Sequence, residues 1–138
     1  MQILQATTTF MDQPSSEFKS KGGLGRIAAA TRYSIDGFRH AWRHEHAFRQ
    51  ELMVALPAAI IALFLPVSSF QKLALIAVLG LVLLVELINA AIEAVVDRVS
   101  LERHPLSKAA KDLGSAAVAL TIAMAAATWA VVLYNRFF

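Results

Sequence analysis

The segment Glu86-Leu-Ile-Asn-Ala-Ala-Ile-Glu-Ala-Val-Val-Asp97 sets three carboxylates and an amide into otherwise apolar surroundings. Thirteen uncharged residues, Leu73 to Val85, run directly into it. A helix turns about 100° per residue, so Asn89, Glu93 and Asp97 fall at about −60°, −20° and +20° from Glu86. All four share one stripe about 80° wide. A charged side chain at the bilayer centre costs at least about 2.5 kcal/mol, so such groups face protein or water and bind cations or move protons. The segment therefore predicts a membrane-spanning helix with a working face. The plain structural alternative is that Glu86 and Asn89 hold helices together by hydrogen bonds.

Outward from this helix the chain is apolar on both sides. Residues 52–71 and 113–135 carry no charge, and 73–96 carry only Glu86 and Glu93. Each is about the 20 residues that a bilayer requires. The 138-residue chain is 57% hydrophobic and 17% charged, against about 45–50% and about 25% for soluble domains. Spans 1 and 3 lack the polar face of a water-facing bundle helix. The expectation is an all-α membrane protein with spans at about 52–71, 73–96 and 113–135, and a turn at Pro66. With no cysteine, disulfides, thiolate zinc sites and thiol nucleophiles are excluded.

The net charge of +3 is placed asymmetrically. Lys19, Lys21, Arg26, Arg32, Arg39, Arg43 and Arg49 precede span 1, and Arg98, Arg103, Lys108 and Lys111 lie between spans 2 and 3. Only Lys72 and Arg136 fall on the other side. The positive-inside rule puts the N-terminus and the 98–111 loop in the cytoplasm and the C-terminus outside. Trp129, Tyr134, Phe137 and Phe138 then suit an outer interface. The basic charge is a cytoplasmic collar and calls for no nucleic-acid partner.

Residues 1–23 read as a flexible polar tail without the apolar core of a secretory signal. Residues 24–138 read as one domain. Within it, residues 24–49 place Leu24, Ile27, Ala28, Ile35, Phe38, Ala41, Trp42 and Phe48 near helical spacing, with Arg and Asp filling much of the rest. A basic amphipathic helix of this kind lies in the membrane interface.

The chemistry expected of the stripe follows its depth. Glu86 is the deeper carboxylate, flanked by Val85 and Leu87, and suits a general base. Glu93, nearer the cytoplasm, suits a metal ion such as magnesium, which takes one or two carboxylates beside phosphates and water. The loop adds Lys and Arg that neutralise phosphates, and phosphoryl transfer is almost wholly positioning and electrostatics. For most of those charges a solvated collar is an equally good reading. Gly114, Ser115, Ala116 and Ala117 permit close helix approach. Lys21-Gly-Gly-Leu-Gly25 lacks the spacing of a phosphate loop. His40 and His44 are one turn apart and hint at zinc, but no H-E-x-x-H arrangement accompanies them, and the histidines near Glu45 read as polar-face residues.

The Glu86–Asp97 pattern resembles the signature of the small prokaryotic diacylglycerol kinases. The resemblance continues in Ala41-Trp42, Glu45, Ala47-Phe48-Arg49-Gln50-Glu51 and Ala110-Lys111-Asp112-Leu113-Gly114-Ser115-Ala116-Ala117-Val118. It covers about residues 24–136; Ala90 departs from it, where the family often has Ser or Thr. It implies a homotrimeric helix bundle in the bacterial inner membrane that transfers the γ-phosphate of MgATP to diacylglycerol, giving phosphatidic acid for phospholipid recycling. Carried over by position, Glu86 corresponds to the catalytic base and Glu45 and Glu93 to the Mg2+ ligands. Arg26, Tyr33, Glu45, Glu93, Glu102, His104, Lys111 and Asp112 correspond to ATP contacts. Trp42, Arg49, Glu51, Asn89, Asp97 and Ser115 correspond to lipid-binding or supporting positions. Two alternatives stay open: an undecaprenol kinase with the same mechanism, and a non-enzymatic ion- or proton-conducting subunit for which an intramembrane Glu86 would also be natural.

Overall fold

The computed structural model describes residues 23–99 and 104–138. It contains four helices: α1 (Gly23–His44), α2 (His46–Phe64), α3 (Ser69–Val99) and α4 (Pro105–Phe137). The described residues divide within α1 into two compact units, one ending at Asp36 and the other spanning Gly37–Phe138. The proposed tail and Glu102 lie outside the described residues, apart from Gly23 at the start of α1.

Helices α2, α3 and α4 are each long and apolar enough to cross a membrane, as expected. Their ends follow from local chemistry. Leu65 precedes Pro66 and takes the extended conformation that a following proline favours, φ −61° and ψ 139°, so α2 stops at Phe64, short of the expected residue 71. Lys72 Nζ donates to the Leu63 carbonyl at 2.7 Å, satisfying one of the carbonyls left open there. Ser68 and Gln71 cap α3 reciprocally. The Ser68 amide donates to Gln71 Oε1 at 2.9 Å and the Gln71 amide to Ser68 Oγ at 3.2 Å, a capping box. Helix α4 starts with Pro105 in its first turn, where a missing N–H costs nothing, and the Leu106 amide donates to His104 Nδ1 at 3.2 Å.

The expected continuous helix over 24–49 is broken at Glu45, which is extended at φ −99° and ψ 111°. A break strands carbonyls at the end of α1. Arg49 takes up two of them, its Nη1 donating to Trp42 O at 2.9 Å and to Arg43 O at 3.2 Å. Its Nη2 meets His46 Nδ1 at 2.7 Å. Phe38 on α1 packs against Phe48 on α2, ring centroids 6.5 Å apart.

Helix α3 packs against both α2 and α4. The buried positions recur every seven residues: Phe48, Ala55 and Ala62 on α2; Leu75, Val82 and Asn89 on α3; Val118, Ala125 and Val132 on α4, with Gly114 and Thr121 between turns. This is the seam of left-handed helix packing, built from small residues where backbones approach closely. At the end near the 65–68 turn the seam closes on Ala62, Leu75 and Val132, with Leu65, Val67, Ile76 and Trp129 around them. Trp129, expected at an interface, is half-buried and donates Nε1–H to the Leu75 carbonyl at 3.3 Å. Between α2 and α4, floored by Leu79 and Val82 of α3, runs an apolar groove of about 450 Å³.

Candidate functional site

The α3 seam changes character as it leaves the turn. After Leu75 and Val82, the next buried side chains are Glu86 and Asn89, 4% and 8% exposed. The helical arithmetic that aligned the four polar residues is therefore matched by burial of the two deepest ones inside the bundle. Asn89 joins the stripe together, its Nδ2 donating to Glu93 Oε1 at 3.3 Å, and its side chain also interacts with Glu86.

The opposite side of Asn89 is defined by Gly114 on α4. A Cβ at position 114 would overlap Asn89 Oδ1 and lie 3.3 Å from Asn89 Cγ. The glycine is needed for space: the Asn89 amide occupies the volume that any side chain would take. That same Oδ1 is buried with no hydrogen-bond partner. Buried acceptors are nearly always paired, so the amide is held in place at a cost.

Further carboxylates converge on this point. Glu86 interacts electrostatically with Glu93 and with Glu45, and Glu51 with Glu86. Glu45 sits at the break between α1 and α2 and makes no side-chain cap to the helix it precedes, which leaves its carboxylate available. Glu51, one turn and a half further along α2, lines the apolar groove with Gln50, and its Oε2 is buried and unpartnered. Among the described residues, no three His, Cys, Asp or Glu side chains form a complete metal cage. The donors present are all carboxylate oxygens, which suits a hard cation completed by phosphate and water.

At the open end of the stripe, Lys111 Nζ bonds Asp97 Oδ1 at 2.6 Å, tying the last turns of α3 to the start of α4. Lys108 and Asp112 form a separate exposed pair at 2.5 Å, four residues apart on α4. The structure thus brings together Glu45, Glu51, Glu86, Asn89 and Glu93, and joins Lys111 to Asp97. It does not bring Asp112 to the stripe. Ser115 and Trp42 are exposed, and His104 is engaged in capping α4. Arg26 and Tyr33 lie on the part of α1 that belongs to the first unit. Two roles were not legible in the residues alone. Arg49 braces the helix break, and Gly114 makes room for one amide; the run of small residues after Asp112 is the only signal of the second.

Comparison with known proteins is consistent with this architecture. Residues 32–133 match the prokaryotic diacylglycerol kinase family. A protein of Pseudomonas aeruginosa named diacylglycerol kinase is 52% identical over 118 residues, 86% of this chain and 96% of the relative. One from Escherichia coli strain K12 with the same name is 48% identical over 115 residues, 83% of this chain and 94% of its own length. A third, from Haemophilus influenzae, is 37% identical over 112 residues, covering 81% and 95%. The chain belongs to the prokaryotic diacylglycerol kinase family. That membership makes it an enzyme and removes the reading as an ion-conducting subunit.

Proposed function

We propose that the chain phosphorylates diacylglycerol with the γ-phosphate of MgATP, at the cytoplasmic face of the bacterial inner membrane and as a homotrimer. The observation that carries the site assignment is the burial of Glu86 in the helix seam beside Asn89, with Glu93 and Glu45 within electrostatic reach. Among the described residues Glu86 is the most enclosed carboxylate, 4% exposed.

In this reading Glu86 accepts the proton of the lipid hydroxyl as its oxygen attacks the γ-phosphorus. The new O–P bond forms as the bond from that phosphorus to the β-phosphate oxygen breaks, releasing ADP. Glu93 and Glu45 would hold Mg2+, which would offset the negative charge of the phosphates. Asn89 fixes Glu93 through its amide hydrogen bond. Lys111 turns from Asp97 to the phosphates, a positioning and neutralising role. Arg26, Tyr33, Glu102, His104 and Asp112 complete the nucleotide contacts, and Trp42, Arg49, Glu51, Asp97 and Ser115 support the lipid side.

The test is direct. Purified protein in lipid is given radiolabelled MgATP with either diacylglycerol or undecaprenol. Labelled phosphatidic acid is the expected product. Labelling of undecaprenol alone would replace the acceptor, and labelling of neither would overturn the kinase reading. Chemical cross-linking of the same sample reports the trimer.

A further inference from the structure

The exposed face of α1 just before the helix break carries a feature that the kinase site does not use. His40 and His44 are one turn apart on the same side of the helix, where i and i+4 side chains meet. Both are exposed, and their rings lie with centroids 4.5 Å apart and planes inclined at 34°. Neither residue matches a position to which the proposed phosphoryl transfer assigns a role.

We propose that His40 and His44 form a two-imidazole chelate for a divalent transition ion of the nickel(II) or copper(II) type. Two imidazoles bound to one ion through bonds of about 2.0–2.1 Å bring their centroids about 4.5 Å apart when the bonds meet at a right angle, and about 5 Å apart at the tetrahedral angle. The observed separation is short enough for both rings to reach one ion. Structural zinc takes four protein ligands in a tetrahedron. Among the described residues no third His, Cys, Asp or Glu completes such a set, so water fills the remaining positions. Imidazole selects nickel and copper over magnesium, which prefers carboxylate and water. The chelate is therefore chemically separate from the carboxylate site beside it.

The neighbouring histidines do not share the geometry. His46 lies beyond the extended residue at 45, outside the α1 helical register, and Arg49 engages its Nδ1 at 2.7 Å. His104 Nδ1 caps α4. Each can offer at most its remaining ring nitrogen, as a single ligand.

The experiment uses the full-length untagged protein in detergent micelles with excess Mg2+ present to fill the carboxylate site, and titrates Ni2+ by calorimetry. One Ni2+ per chain is expected to bind. His40→Ala, His44→Ala and the double substitution should each weaken it by the same factor, at least about tenfold, because a chelate fails when either arm is lost. Alanine is the best helix former, and circular dichroism checks that α1 persists. Cu2+ added to the wild type should give an electron paramagnetic resonance spectrum of two-nitrogen coordination. His46→Ala and His104→Ala should leave binding unchanged. The proposal is overturned if the double variant binds as tightly as wild type, if the two single losses are partial and sum to the double, or if His46→Ala costs as much as His44→Ala. None of these readouts depends on kinase activity, so failure here and failure of the proposed reaction are distinguishable.

Discussion

The two ends of the α3 seam use the same spacing for opposite purposes. Near the 65–68 turn, Leu75 is fully buried against Ala62 and Val132, and Trp129 donates to its backbone carbonyl. About three to four turns further on, Glu86 and Asn89 occupy equivalent inward positions, yet Asn89 leaves an acceptor unpaired and several carboxylates crowd together. One end is built to be stable and the other to be reactive. Polar groups buried at a cost are what a functional site looks like in a fold that is otherwise locally consistent.

Substitutions sharpen this contrast. The largest effect is expected from Glu86→Gln, which keeps shape and removes the base. Lipid phosphorylation should fall by about 10²–10⁴-fold, the usual contribution of general base catalysis, while cross-linking and thermal unfolding stay as in wild type. Leu75→Ala should do the reverse. Truncating a fully buried leucine costs about 2–5 kcal/mol, so melting in detergent shifts down sharply while turnover per folded molecule persists. If Leu75→Ala abolished turnover without touching stability, the division between the two ends would be wrong.

Gly114→Ala probes the boundary between them. Its Cβ would overlap the Asn89 amide, an overpacking penalty of about 1–3 kcal/mol, with loss of activity as Asn89 is pushed from Glu93. Adding Asn89→Ala should restore the melting temperature and leave activity lost, a double-mutant cycle that separates space from chemistry. The smallest effect is expected at Asp97→Asn. Freeing Lys111 from an exposed partner should lower the KM for MgATP by roughly two- to fivefold, the scale of a surface ion pair, with kcat little changed. A fall in kcat instead would give Asp97 a part in the chemistry.

Much of this was legible in the residues. The Glu86–Asp97 stripe follows from one angle per residue, and charge inside an apolar run forces it inward; the buried Glu86 and Asn89 agree. Three spans follow from length and composition. Events between elements distant in sequence were harder to read. Nothing local tells Lys111 to choose Asp97, fourteen residues back, over the Asp112 beside it. The break at Glu45 was hidden because its flanks, Ala41-Trp42 and Ala47-Phe48, keep helical character, and no proline or glycine marks it. Nothing near Trp129 announces its hydrogen bond to the Leu75 carbonyl, 54 residues back.

The brace by Arg49 has a consequence for position 45. A guanidinium from the next helix satisfies the carbonyls stranded at the end of α1, and the start of α2 takes no cap from the Glu45 side chain. Neither side of the bend draws a hydrogen bond from the Glu45 carboxylate, so a substitution at 45 should leave the bend in place. In the proposed reaction, a change of side chain at 45 then reports on the cation and the nucleotide rather than on whether the corner is made.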